Sequence, residues 1–221
     1  MICLWSPKGG VGTTVVVAAL AAESARRAEV LVVDLAGDLP ALAGLPDPRY
    51  GVTDWLASEH REPEGLRRLE MPTSTGVTIV AAGNGRSWTH DAVLELFALL
   101  GADDRCVLVD AGTIDADRRD DDIVTELRRD ATRAADRSLV CIRPCYLGLR
   151  RIGRSDLPIA GAVVIGEAGR ALDAHDVEAV LGVPAVARVE LDPAVARAVD
   201  AGIFFDRPPR AALRQVRRAV A

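Results

Sequence analysis

Ser6-Pro7-Lys8-Gly9-Gly10-Val11-Gly12-Thr13-Thr14 separates the short apolar run Ile2–Trp5 from the long apolar stretch Thr14–Ala28. A strand, a glycine loop and a helix start, in that order, place backbone N–H groups around phosphate oxygens at the positive end of a helix. The glycines let the chain turn tightly and approach those oxygens closely. Thr14 stands where a hydroxyl would bind Mg²⁺. The strict pattern G-x4-G-K-[ST] fails at two positions, because Pro7 replaces its first glycine and Thr13 its lysine.

One lysine is nevertheless present in the loop. Lys8 is the only lysine among the 27 basic residues of the chain, and all the others are arginine. A sequence that uses arginine wherever either base serves retains lysine where a compact ammonium on a thin stem is needed.

Outward from the loop, apolar runs rich in β-branched residues recur at Glu29–Asp34, Val77–Ala81, Cys106–Asp110, Ser138–Ile142, Ala160–Ile165 and Ala185–Val189. They are continuous rather than alternating, as in strands buried on both faces. Helical spacing of apolar residues fills Thr14–Ala28, Thr89–Leu100, Asp121–Ala135, Asp173–Leu181 and Pro193–Ala201. This alternation predicts an α/β fold. Its form is a doubly wound, mostly parallel sheet of about seven strands with helices on both faces and ligand at the strands' C-terminal ends. With 221 residues and no linker or repeat, residues 1–221 read as one domain.

A net charge of −5 argues against coating nucleic acid through overall charge. Arg150, Arg151 and Arg154 are the candidates for a local DNA-binding patch, although arginines on a solvated face are the commoner explanation. No apolar run reaches the ~20 residues that cross a bilayer, and the N-terminus lacks a signal-peptide layout, so the expected compartment is the cytoplasm. The segment Pro209–Ala221 is a short basic helix that reads better as a cap on the domain than as a membrane tail. Charge-dense Arg118–Asp122 reads as an exposed loop. The four cysteines, Cys3, Cys106, Cys141 and Cys145, read as buried, reduced thiols, with the Cys141-x3-Cys145 pair a weak cue for an iron–sulfur cluster.

The loop resembles the deviant Walker A motif, K-G-G-x-G-K-[ST], of the ParA/MinD superfamily of P-loop NTPases. The resemblance implies an ATP or ADP site with Mg²⁺, built from Lys8, Gly9, Gly10, Val11, Gly12, Thr13 and Thr14. Lys8 matches the signature lysine that reaches a dimer partner's nucleotide, and Thr13 departs from the lysine that contacts phosphates within the same subunit. Losing that cation removes a charge-assisted contact of about 1.5–3 kcal/mol, weakening binding by one to two decades and hydrolysis further. Asp34, ending Val32-Val33-Asp34, matches the aspartate that positions the attacking water near Mg²⁺, while Ala36 replaces a frequent second aspartate. Cys106-Val107-Leu108-Val109-Asp110 resembles Walker B, delivering Asp110 to the metal. Pro144 lies in a segment similar to the one following Walker B, and the resemblance adds it to the nucleotide-binding residues. Val163–Glu167 lacks the asparagine that reads adenine, and Asp192–Gly202 resembles the loop and helix that close over the base.

Within the superfamily, Asp34–Leu45 and the missing lysine look most like CpaE/TadZ proteins, which position pilus secretion machinery. Three readings follow. One is an ATP-linked homodimeric switch that positions a pilus, septum or chromosome together with a protein partner, with weak or absent hydrolysis. Another is a pseudo-ATPase scaffold that no longer uses nucleotide. The last is a metabolic or cluster-carrying enzyme on the same fold.

Overall fold

The computed structural model describes residues 1–115 and 122–219. The chain runs β1 (Ile2–Ser6), α1 (Thr13–Ser24), β2 (Val30–Asp34), α2 (Leu39–Leu42), α3 (Val52–Ala57), α4 (Pro63–Arg67), β3 (Met71–Pro72), β4 (Val77–Val80) and α5 (His90–Gly101). It continues through β5 (Cys106–Thr113), α6 (Ile123–Ala134), β6 (Arg137–Ile142), α7 (Tyr146–Ile152), β7 (Gly161–Gly166), α8 (Ala174–Leu181), β8 (Ala185–Glu190), α9 (Pro193–Asp200) and α10 (Arg210–Val216). One sheet of eight strands has the order β3-β4-β2-β5-β1-β6-β7-β8. Every pairing is parallel except that of β3 with β4.

The expected doubly wound sheet is present. Strand β2 is buried at every residue, and β1 at all but its first. Side chains alternate between two cores: Cys3, Trp5, Leu31 and Val33 face the layer holding α3, α5 and α6, whereas Leu4, Val30, Val32 and Leu108 face α1. The chain winds from β1 toward β2 on one side and crosses to β6 on the other. The C-terminal ends of β1 and β5 therefore open at the switch point, where α/β sheets take their ligands.

Helix α1 has no polar face, and the sequence T-T-V-V-V-A-A-L-A-A-E-S requires cover on both sides. It is buried without a break from Val16 to Glu23. The sheet covers one side; α10 and the buried pair Phe204–Phe205 cover the other. The C-terminal segment is thus a cap on the domain, with Leu213 and Val216 in the core. Arg217 Nε donates to Oε1 of buried Glu23 at 2.7 Å and pins the segment's end.

The structure differs from the sequence reading where elements are short. The edge strand β3 has two residues, and Pro72 sits where a missing N–H costs little. Helices α2, α3, α4 and α7 span four to seven residues, too few to establish a period. Helix α1 stops at Ser24, whose carbonyl accepts from Arg27 and Ala28 in a closing turn. Most of the charge-dense segment, residues 118–121, lies outside the described residues, as does Val220. Among the described residues no helix is long and apolar enough to cross a membrane.

Candidate phosphate-binding site

Gly10 and Gly12 adopt φ of 73° and 99°. A Cβ at either position would meet open space, so backbone conformation rather than crowding demands glycine. Gly12 is the N-cap of α1 and offers no side-chain acceptor, which leaves the helix's first N–H groups for a ligand.

Two clamps hold the loop. Ser6 Oγ donates to the carbonyl of Lys8 at 3.1 Å and is 3.3 Å from that of Gly112 at the end of β5. Arg151 Nη1 reaches the Pro7 carbonyl at 3.5 Å and pairs with Asp115 Oδ2 at 3.1 Å. Of the three arginines proposed as a surface patch, Arg151 therefore turns inward, whereas Arg150 and Arg154 are exposed. Pro7 is buried, and Lys8, Gly9 and Gly10 are exposed at the rim.

Behind the rim lies a cavity of about 830 Å³ lined by Gly10–Val15 with Ala36, Asp38, Gly112, Thr113 and Arg128. It adjoins a more apolar cavity of about 530 Å³ between α1, α9 and α10, and the two share Gly10, Val11, Gly12, Val15, Val199 and Asp200. Val189, Leu191, Pro193 and Val195 line the second cavity, with Arg143 as its cation. The proportions suit an elongated ligand with an anionic end and an apolar, planar end. Lys8 lines neither cavity, and Pro144 is buried outside both. Thr13 is buried, and its side chain lowers the pKa of the Cys141 thiol in β6 against the larger effect of burial.

The two aspartates are placed differently. Asp34 has no solvent exposure; its Oδ1 accepts from Ala36 N and Gly37 N at 2.9 and 2.7 Å, and its Oδ2 from Leu39 N at 2.9 Å. Burial raises its pKa, against the lowering effect of those N–H donors. Asp110 Oδ1 accepts from Gly112 N at 2.9 Å, while its buried Oδ2 has no hydrogen-bond partner among the described residues. Burial, then the charge of Asp34, pushes the Asp110 pKa up to about 7, although the Thr14 hydroxyl, Gly112 N–H and Arg128 act in the opposite direction. An orphaned carboxylate oxygen beside a threonine hydroxyl, next to a phosphate-sized cavity, fits Mg²⁺. That ion takes hard oxygen ligands and keeps several waters.

Sequence reasoning missed Arg128, Arg143, Gly112 and Thr113. Nothing marks Arg128 or Arg143 among so many arginines, and Gly112-Thr113 extends a strand expected to end at Asp110. The four cysteines are free thiols: Cys3 and Cys141 are buried and pushed above their usual range, Cys106 lies in β5, and Cys145 N-caps α7.

No protein-family model and no curated protein sequence matches the chain. Solved structures match along its length. The MinD cell division protein of Aquifex aeolicus is 20% identical, with a TM-score of 0.75 over 99% of this chain and 95% of its own. A ParA family ATPase from Chlorobium tepidum is 18% identical, with a TM-score of 0.71 over 97% and 95%. The ATP complex of Cyanothece McdA(D38A) is 14% identical, with a TM-score of 0.69 over 99% and 94%. The chain has the ParA/MinD P-loop fold.

Proposed function

We propose that this ParA/MinD-fold chain is a nucleotide-linked homodimeric switch that positions cellular machinery and turns ATP over slowly or not at all. The observation that carries the reading is the placement of Lys8. The sole lysine stands exposed on the rim of the phosphate loop, outside its own cavity, and its ammonium makes no hydrogen bond or ion pair among the described residues. A cation so placed meets phosphates on a second copy docked across the rim, and assembly then reports the bound nucleotide.

Within each subunit, Gly9–Gly12 and the free N–H groups of α1 bind the phosphates and Val11 floors both cavities. Thr14 and Asp110 would hold Mg²⁺, which would supply charge neutralisation at the phosphates. Asp34 orders the Asp34–Leu39 turn against the cavity and stands beside the metal site. MinD, ParA and McdA occur among the solved structures of similar fold. A positioning role with a protein partner follows from that likeness, and the CpaE/TadZ-like segment Asp34–Leu45 adds pilus machinery to septum and chromosome as cargo.

The test is sedimentation of the purified chain with Mg-AMPPNP, Mg-ADP or neither. AMPPNP should drive dimerisation, and Lys8→Ala should abolish it while leaving monomer nucleotide binding within about threefold. Dimerisation indifferent to nucleotide and to Lys8 overturns the reading.

One observation favours a pseudo-ATPase scaffold instead. Both oxygens of Asp34 are occupied by backbone N–H groups, so the carboxylate matched to water positioning serves structure. Calorimetry with millimolar Mg-ATP separates the readings, since a scaffold gives no binding heat.

A further inference from the structure

We infer that Arg128 of α6 is the own-subunit cation for the terminal phosphate of a bound nucleoside triphosphate, standing in for the lysine that Thr13 displaces; this rests on the nucleotide-binding reading above.

Three observations place it there. First, Arg128 lines the phosphate cavity together with Thr13, Thr14 and Gly112. Second, its guanidinium is steered by a single acceptor among the described residues, the Leu35 carbonyl, with Nε at 3.1 Å and Nη2 at 2.7 Å. No carboxylate among the described residues lies within ion-pair distance of it. An arginine has five N–H donors, so the remainder are available to an anion. Third, the cavities fix the polarity of the ligand. The apolar cavity shares Gly10, Val11, Gly12, Val15, Val199 and Asp200 with the phosphate cavity, whereas Ala36, Gly112 and Arg128 line only the latter. A base in the apolar cavity therefore sends its phosphates along Gly10–Thr14, with the last one toward Arg128. The field of Arg128 already reaches the buried Asp110 and lowers its pKa against burial.

A cation on α6 differs from a loop lysine in what it can sense. It meets only the phosphate farthest from the base, so it discriminates triphosphate from diphosphate. It also ties that phosphate to Leu35, at the head of the Asp34–Leu39 turn, so loss of the phosphate frees the guanidinium from one of two anchors.

The experiment is calorimetric titration of the full chain with Mg-AMPPNP and with Mg-ADP, in wild type, Arg128→Gln and Arg128→Lys. Arg128 is partly exposed on a helix, and unchanged melting temperatures establish that each variant keeps the fold. Wild type should prefer AMPPNP. R128Q should weaken AMPPNP about tenfold or more while moving ADP less than threefold, and R128K should recover most of the difference. Equal losses for both nucleotides, or a Lys variant no better than Gln, assign Arg128 a purely structural role at Leu35 and overturn the inference. A wild-type chain that binds neither nucleotide at millimolar concentration overturns the nucleotide reading itself, and the inference with it.

Discussion

Asp34 and Asp110 stand side by side on the parallel strands β2 and β5, in direct register and without solvent exposure. Burial raises the cost of ionising both, and the charge of Asp34 adds to it at Asp110, which is pushed up to about 7. Unfolded, both carboxyls ionise near 3.9, and between about pH 4 and 7 the native state therefore binds more protons. The pair's contribution to stability is present below about pH 4 and is lost as pH rises through about 7. Urea unfolding in Mg²⁺-free buffer should show the chain losing on the order of 2 kcal/mol from this pair between pH 5 and 8. Asp110→Asn, neutral at both pH values, should flatten that difference. An unchanged pH slope in D110N would refute the assignment.

The turn of the phosphate loop rests on Gly12, whose φ of 99° lies where side chains are strained. Gly12→Ala should cost about 1–2 kcal/mol through that strain alone, since a methyl group meets no neighbour. Relief by rotating φ would turn the first N–H groups of α1 away from the cavity. Nucleotide affinity should accordingly fall more than stability does. A variant that melts lower yet binds Mg-AMPPNP as wild type does would show that the ligand does not use this helix end.

How much was legible in the sequence follows from what each element needs. Runs such as Val30–Asp34 and Leu139–Ile142 are apolar on both faces, and only a covered parallel sheet accommodates them, so the winding could be read from composition. Loop and helix α1 were legible for the same reason, because glycine conformation and continuous burial leave marks in single residues. The placement of carboxylates was not. Asp34 and Asp110 both end apolar strands, and only the turn Ala36–Leu39 shows that one is consumed by backbone donors while the other keeps a free oxygen. Arg128 was invisible because its meaning comes from a carbonyl 93 residues away in the chain.

Thr13 offers a gain-of-function test. Its side chain is buried against Cys141, and a lysine there has an exit along the adjoining phosphate cavity. Thr13→Lys should tighten Mg-AMPPNP roughly 10- to 100-fold, the charge-assisted contact of about 1.5–3 kcal/mol restored. Because the new ammonium and Arg128 would share one anion, the penalty of R128Q should be smaller in the T13K background than alone. Strictly additive effects would mean that the two cations contact different groups.

The cover over α1 is pinned by a buried carboxylate. Glu23 is 2% exposed, a cost accepted only because Arg217 donates to it at 2.7 Å and Arg26 approaches at 3.3 Å. Both arginines are about half in solvent, which screens the attraction, whereas the carboxylate is not free to rehydrate. Removing a partner should therefore cost more than an exposed pair is worth, and Arg217→Ala should destabilise the chain by about 1–2 kcal/mol. Glu23→Gln, which needs no counter-charge, should recover part of that loss when combined with R217A. If the wall formed by α10 lines the apolar cavity as Ala212 and Val216 indicate, R217A should also weaken nucleotide binding at the base end, equally for AMPPNP and ADP. That equality distinguishes loosening of the C-terminal cap from loss of a phosphate contact, and a selective loss of AMPPNP would contradict it.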